Sequence, residues 1–207
     1  MGAHENLEHA EHAEHASHGG NKKIALLISV LALCLAFSET LGKSSQTAAL
    51  NFQIEASNLW NFFQAKSIRR TATLVAAEQT KLELLGANLT DEQKASIAKQ
   101  VDEWNKTAAR YRSEPEAAGG KGEGTVELAR RATEEQRLRD TALSRYHMYE
   151  FGSAAFQIGI VLASAQIITG IVILGWLSGF LGLAGVALTM LGLWMPHALD
   201  FLTHATH

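Results

Sequence analysis

Apolar positions along this chain fall into two patterns, unbroken runs and helical stripes. The first run, "IALLISVLALCLAF", covers Ile24 to Phe37 and extends through Ser38, Glu39, Thr40 and Leu41. Its clean part is shorter than the roughly 20 residues needed to cross a hydrocarbon core, and the extension brings it near that length. From Phe151 to Met195 there is no Asp, Glu, Lys or Arg, an uncharged block of 45 residues. That is too long for one span and suits two of about 22 residues each. Gly175, Ser178 and Gly179, all within "GWLSG", are the expected turn, with Trp176 at an interface. The expected spans are therefore 22–43, 151–174 and 180–195. Gly182 and Gly185, with Gly170 and Ala165, would permit close backbone approach, and Gln157 and Gln166 are expected to hydrogen-bond between helices.

The polar middle, residues 44–150, reads as helix almost throughout. Ala49, Phe52, Ala56, Leu59 and Phe63 recur at steps of three and four, a single stripe. The stripe then slips and resumes at Ile68, Ala72 and Val75. Gly86 is a natural helix end, and Thr90 with Gln93 makes a capping box for the next helix. That helix carries Ile97, Val101, Trp104, Ala108 and Tyr111, the cleanest coiled-coil-like seam in the chain. Glycines and Pro115 in "SEPEAAGGKGEGT" break the pattern, with the break centred on 117–124. Thr125 is the expected cap of a third helix, whose stripe of Leu128, Ala132, Leu138, Ala142, Tyr146 and Tyr149 leads into the second span. Rise per residue then constrains direction: a helix over 44–86 climbs about 64 Å, while 91–113 and 125–150 cover about 34 and 39 Å. One outgoing arm balances two returning ones, so a helical hairpin with a broken return arm is expected.

Charge segregation turns these patterns into a class. Apolar residues make up 47% and charged residues 19%, and the charges cluster in 1–23 and 39–150. The expected fold is an all-α integral membrane protein: one N-terminal span, a C-terminal hairpin of two, and a long extramembrane helical domain. Lys22 and Lys23 fit either a retained span or the start of a signal peptide. "SETLGKSS" lacks a clean small-residue cleavage site, which favours the retained span. Lys22 and Lys23 argue for a cytoplasmic N-terminus and Arg137, Arg139 and Arg145 for a cytoplasmic middle; the former is the expectation. A net charge of −3 without a basic patch argues against nucleic acid as a partner. The single cysteine, Cys34, excludes an intramolecular disulfide and a CxxC site.

The block "LNFQIEASNLWNFFQAKSIRR", residues 50–70, resembles a bacterial membrane-protein family catalogued as domain of unknown function 4337. With it go the His/Glu/Ala tail, the basic pair before the first span and the uncharged C-terminal hairpin. The resemblance covers nearly the whole chain, is most specific at "EASNLWNFFQAKSIR", and implies an inner-membrane location. It carries no activity and no catalytic residues. It suggests Trp60, Phe63, Gln64, Lys66 and Arg69 as a characteristic surface, against the simpler reading that they form a helix-packing seam.

Candidate chemistry is sparse. No phosphate loop, nucleophile elbow or HExxH motif occurs, so no enzyme, catalytic residue, cofactor or small-molecule substrate is expected. Glu39 is the one acid near a span, a candidate for proton or ion handling by default, with Lys43 four residues on as a pairing partner. His197, Asp200, His204 and His207 would share one face of a C-terminal helix over 196–207, a donor set suited to zinc. His9, His12, His15 and His18 in the 1–21 tail step by three. On an α-helix that drifts by about 60° per step, which fits weak transition-metal chelation or pH response better than a preformed site. The expectation is a non-enzymatic membrane protein that self-associates or scaffolds a complex through Trp60, Phe63, Gln64, Lys66, Arg69, Ile97, Val101 and Trp104. The alternative is a metal- or proton-linked accessory protein or small transporter. Spin labels at position 86 and at the membrane edge should lie about 60 Å apart; a separation under about 30 Å refutes the upright outgoing arm.

Overall fold

The computed structural model describes residues 22–86 and 88–195, which form four helices and, among these residues, no strand. Helix α1 spans Lys22–Gly86, α2 Asp91–Arg112, α3 Thr125–Thr169 and α4 Val172–Trp194. The chain divides into two compact units, one comprising residues up to Leu50 and from Arg139 onward, the other Asn51–Leu138.

Helix α1 is 65 residues long, and one face of it is covered along nearly all of that length. In the first unit Ile28, Leu31, Leu35, Ser38, Gly42 and Ala49 are buried and Ser45 is half-buried. In the second unit Phe52, Ala56, Leu59, Phe63, Lys66, Arg70, Thr73 and Ala77 continue the series, each buried or half-buried. The steps alternate between three and four without a break. Helix α3 does the same with Leu128 and Ala132 in the second unit, then Ala142, Tyr146, Tyr149, Ser153, Phe156, Ile160 and Ala163 in the first. An average step of 3.5 keeps one face toward a neighbour, whereas an ideal helix of 3.6 drifts away. The slip expected after Phe63 does not occur. The covered face passes through polar Lys66, Arg70 and Thr73, while Ile68 and Val75 lie on the exposed side. Following only apolar letters misses a seam that changes composition while keeping its spacing.

In the first unit Ile28, Leu31, Leu35, Phe156, Ile160 and Ala163 form the core. Helix α4 approaches it through glycines. A Cβ at Gly182 would fall 2.5 Å from Leu31 Cδ2, and one at Gly185 2.7 Å from Phe156 Cε1. Serines supply the interhelical hydrogen bonds: Ser178 Oγ donates to the Gly159 carbonyl at 2.7 Å and Ser38 Oγ to the Tyr149 carbonyl at 3.0 Å. Gln157 and Gln166 were each expected to bond to another helix, but no such bond forms among the described residues, and Gln166 Oε1 is buried there without a partner. The α3–α4 turn is also earlier than expected. It lies at Gly170, whose φ of 73° suits a residue without a Cβ. Gly175, Ser178 and Gly179 sit inside α4, where small size serves packing. The uncharged stretch of α3 thus ends at Thr169 and α4 begins at Val172, in place of spans at 151–174 and 180–195.

In the second unit Leu59, Leu128 and Ala132 form a core, with Trp60 and Phe63 packed against it. The expected capping box opens α2: Gln93 N–H donates to Thr90 Oγ1 and Thr90 N–H to Gln93 Oε1 at 3.0 Å. Lys66 of α1 pairs with both Glu114 and Glu123, at 3.8 and 3.5 Å. Helix α2 therefore runs back along α1, and its 22 residues rise about 33 Å against about 30 Å from Lys66 to Gly86. The return arm is broken at residues 113–124, as expected from the glycines.

That break is held by α3. Thr125 is not a cap: it is already inside the helix, and its hydroxyl donates to the Arg112 carbonyl at 3.3 Å. Gly124 precedes the helix because a Cβ there would fall 2.4 Å from Ser113 Cα. Glu127, in the first turn, accepts from the Ser113 hydroxyl and, at 3.3 Å, from the Glu114 N–H. The Ser113 hydrogen bond is the main reason its carboxyl titrates below the usual range. A carboxyl whose folded pKa is depressed stabilises the fold above its unfolded value, near 4.3, and loses that contribution as pH falls through the folded value. Glu127→Gln should destabilise this segment by about 1–2 kcal/mol at pH 7, read as faster amide exchange over 113–130. The gap from the parent chain should close on acidification below about pH 4.

Candidate functional site

The signature segment over 55–69 is divided by the α1 helix into an inner and an outer face. On the inner face Ala56, Leu59 and Lys66 are buried and Trp60 and Phe63 half-buried. Trp60 and Phe63 meet edge to face at 5.3 Å between ring centroids, an arrangement that aromatic quadrupoles favour. These residues pack on α3 of the same chain. The outer face carries Gln64, Arg69, Phe62 and Ile68, all exposed. The surface expected from the resemblance is therefore split: Trp60, Phe63 and Lys66 serve the internal seam, and Gln64 and Arg69 face outward. On α2 Val101 is buried, and Ile97 and Trp104 are half-buried.

Lys66 is the unusual member, a charge on a packing face and only 6% exposed. Its Nζ lies between the Glu114 and Glu123 carboxylates and 5.1 Å from the Phe62 ring centroid. Glu114 also pairs with Arg110 at 3.7 Å, and Arg131 Nη1 donates to the Gly122 carbonyl at 3.2 Å. The glycine-rich segment is thus tied to α1 by Lys66, to α2 by Arg110 and to α3 by Glu127 and Arg131. Positive φ at Ala118, Gly119, Gly120 and Gly122 lets it fold back tightly enough to bring Glu114 and Glu123 to one lysine. Nothing in the spacing of "EASNLWNFFQAKSIR" reveals this role, because both acids lie about 50 residues downstream.

In the first unit Glu39 borders a cavity of about 340 Å³ together with Lys43, Gln46, Tyr146, Glu150 and Gln157. The expected Glu39–Lys43 ion pair is not formed among the described residues. Gly42, Tyr149 and Ala154 also line the cavity. The serine–glycine contacts around Ser38, Gly152, Gly159 and Ser178 escape sequence reading because single small residues carry no periodic signal. Both histidine clusters, His9 to His18 and His197 to His207 with Asp200, lie outside the described residues.

Replacing Lys66 with Ala should free the 113–124 segment. A loss of about 1–3 kcal/mol is expected, less than for a fully buried pair because both acids are partly exposed. Amide exchange of residues 113–124 is the measurement. Unchanged protection there would show that the lysine does not hold the segment.

Comparison with known proteins identifies the chain by its helices. No curated protein and no solved structure matches it. The family model described as Domain of unknown function (DUF4337) matches residues 20–195, a stretch that takes in all four helices and leaves out both histidine clusters. The chain belongs to that family.

Proposed function

We propose that this chain is a non-enzymatic protein of the bacterial inner membrane that crosses the bilayer three times. In this reading it self-associates, or scaffolds a membrane complex, through its extramembrane helices. Three helices, α1, α3 and α4, are long and apolar enough to cross a membrane by length and composition. Large apolar side chains such as Leu26, Leu33, Phe37, Ile168, Ile173 and Phe180 are exposed on them, an arrangement suited to hydrocarbon and costly in water.

The observation that carries self-association is a second apolar line on α1. Ile54, Asn61, Ile68, Val75 and Leu82 are spaced by sevens, and all five are exposed. They lie on the side of α1 opposite the internal seam. Asn58, Ala65, Ala72 and Gln79, also exposed, interleave with them at steps of four and three. A seven-residue repeat of Ile, Asn, Ile, Val and Leu is the pattern of a coiled-coil seam, and one Asn at such a position fixes register and strand number at some expense in stability. A helix whose two opposite faces both repeat every seven residues can hold its own chain with one and a second copy with the other.

Native mass spectrometry of the full chain in mild detergent should show a defined oligomer that survives deletion of residues 1–20. Ile68→Glu combined with Val75→Glu should reduce it to monomer with helicity by circular dichroism unchanged. A monomeric parent chain, or stoichiometric metal lost on tail deletion, would turn the argument toward the metal-linked alternative.

A further inference from the structure

A crevice of about 730 Å³ opens in the first unit between the first turns of α1 and the side of α4. Its walls are apolar, with Leu27 on one side and Phe180 and Leu183 on the other. Gly179 lies in it, and a Cβ there would meet nothing within 4 Å, so the space is open beside the α4 backbone. From Val172 to Ala187, both of which line it, α4 rises about 22 Å. One leaflet of a hydrocarbon core is about 15 Å deep, so the crevice is long enough for an acyl chain lying along the helix.

Its polar features gather at one end. Lys23 lines the crevice where α1 begins, beside the similarly exposed Lys22. Neither forms an ion pair with another described residue. Gln166, near the end of α3, also lines it, and its Oε1 is buried without a hydrogen-bond partner. Trp176, 78% exposed, stands at the rim, where an amphipathic ring suits the headgroup level. Cations with no ion pair among the described residues, set above an apolar slot, match a molecule with one negative charge at its head and a long hydrocarbon tail. A second protein helix would cover the apolar wall and leave the lysines unanswered.

We propose that this crevice binds one anionic phospholipid, with its phosphate at Lys23 and Lys22 and an acyl chain along α4 beside Gly179. The proposal rests on the reading of α1, α3 and α4 as membrane spans. Basic pockets between spanning helices recognise anionic headgroups by this combination of charge and apolar depth.

The test is native mass spectrometry of the full chain in mild detergent, with phosphatidylglycerol or phosphatidylcholine of equal acyl length added. One phosphatidylglycerol per chain should be retained about fivefold over phosphatidylcholine. Lys22→Gln with Lys23→Gln should erase the preference, and Gly179→Phe should remove the bound lipid while helicity is kept. Equal retention of the two lipids overturns the proposal, as does a preference that neither variant changes. A lipid-free dimer that Gly179→Phe dissociates also overturns it, by assigning the crevice to a second copy. A chain that stays in solution without detergent refutes the membrane reading itself, whereas one that needs detergent and shows no lipid preference refutes only this site.

Discussion

Almost everything in this protein depends on a spacing rule in α1: covered positions alternate at three and four from Ile28 to Ala77. Hydrophobicity changes along that line and the rule does not. In the first unit it places Leu31 and Leu35 against Phe156 and Ile160. In the second it places Leu59 against Leu128, and then Lys66 against two carboxylates. The helix gains little from its own ends: its last turn holds no basic residue and its first no acidic one. Its stability comes from having a neighbour along its covered face, which is how most protein helices are held.

The two units use that face with different chemistry. In the first, small residues do the work. Gly182, Gly185 and Gly159 allow close approach, and Ser38 and Ser178 reach carbonyls that larger polar side chains would be too bulky to meet. Hydrocarbon gives helices no hydrophobic reason to associate, so contact area and a few hydrogen bonds must suffice. In the second, aromatic rings and charges take over, with Trp60 on Phe63 and Lys66 on Glu114 and Glu123. Such groups discriminate among registers, since a slip of one turn would leave Lys66 buried without its acids.

Much of this was legible from letters alone. The Thr90–Gln93 box, the end of α1 at Gly86, the glycine break and the stripe of Ala49, Ala56 and Leu59 all follow from local rules that no distant contact overrides. What failed did so for one reason: small or polar residues whose meaning depends on a partner far along the chain. Ser178 and Gly175 read as a turn because "GWLSG" is rich in small residues, and only Gln166 and Gly159 opposite them reveal packing. Lys66 was named as surface only through the resemblance, and the two acids that define its role lie far along the chain. Gln157 and Gln166 read as interhelical partners because amides can bond, yet the shorter serines took that part. The site candidates were legible as positions and much less so as roles, since Trp60 and Gln64 are neighbours on α1, one turn apart, yet the first is half-buried and the second exposed.

The unbroken alternation in α1 also makes its length a fixed quantity. One residue inserted between Leu59 and Lys66 would turn Lys66 by about 100° relative to Leu59, carrying it off Glu114 and Glu123 while Leu59 stayed on Leu128. Growth by a whole heptad would restore the facing but would strand α1 unless α3 lengthened to match. The links at 87–90 and 113–124 carry no such rule. Related chains of other sizes should therefore differ at those links by any number of residues, and within the helices only by paired sevens.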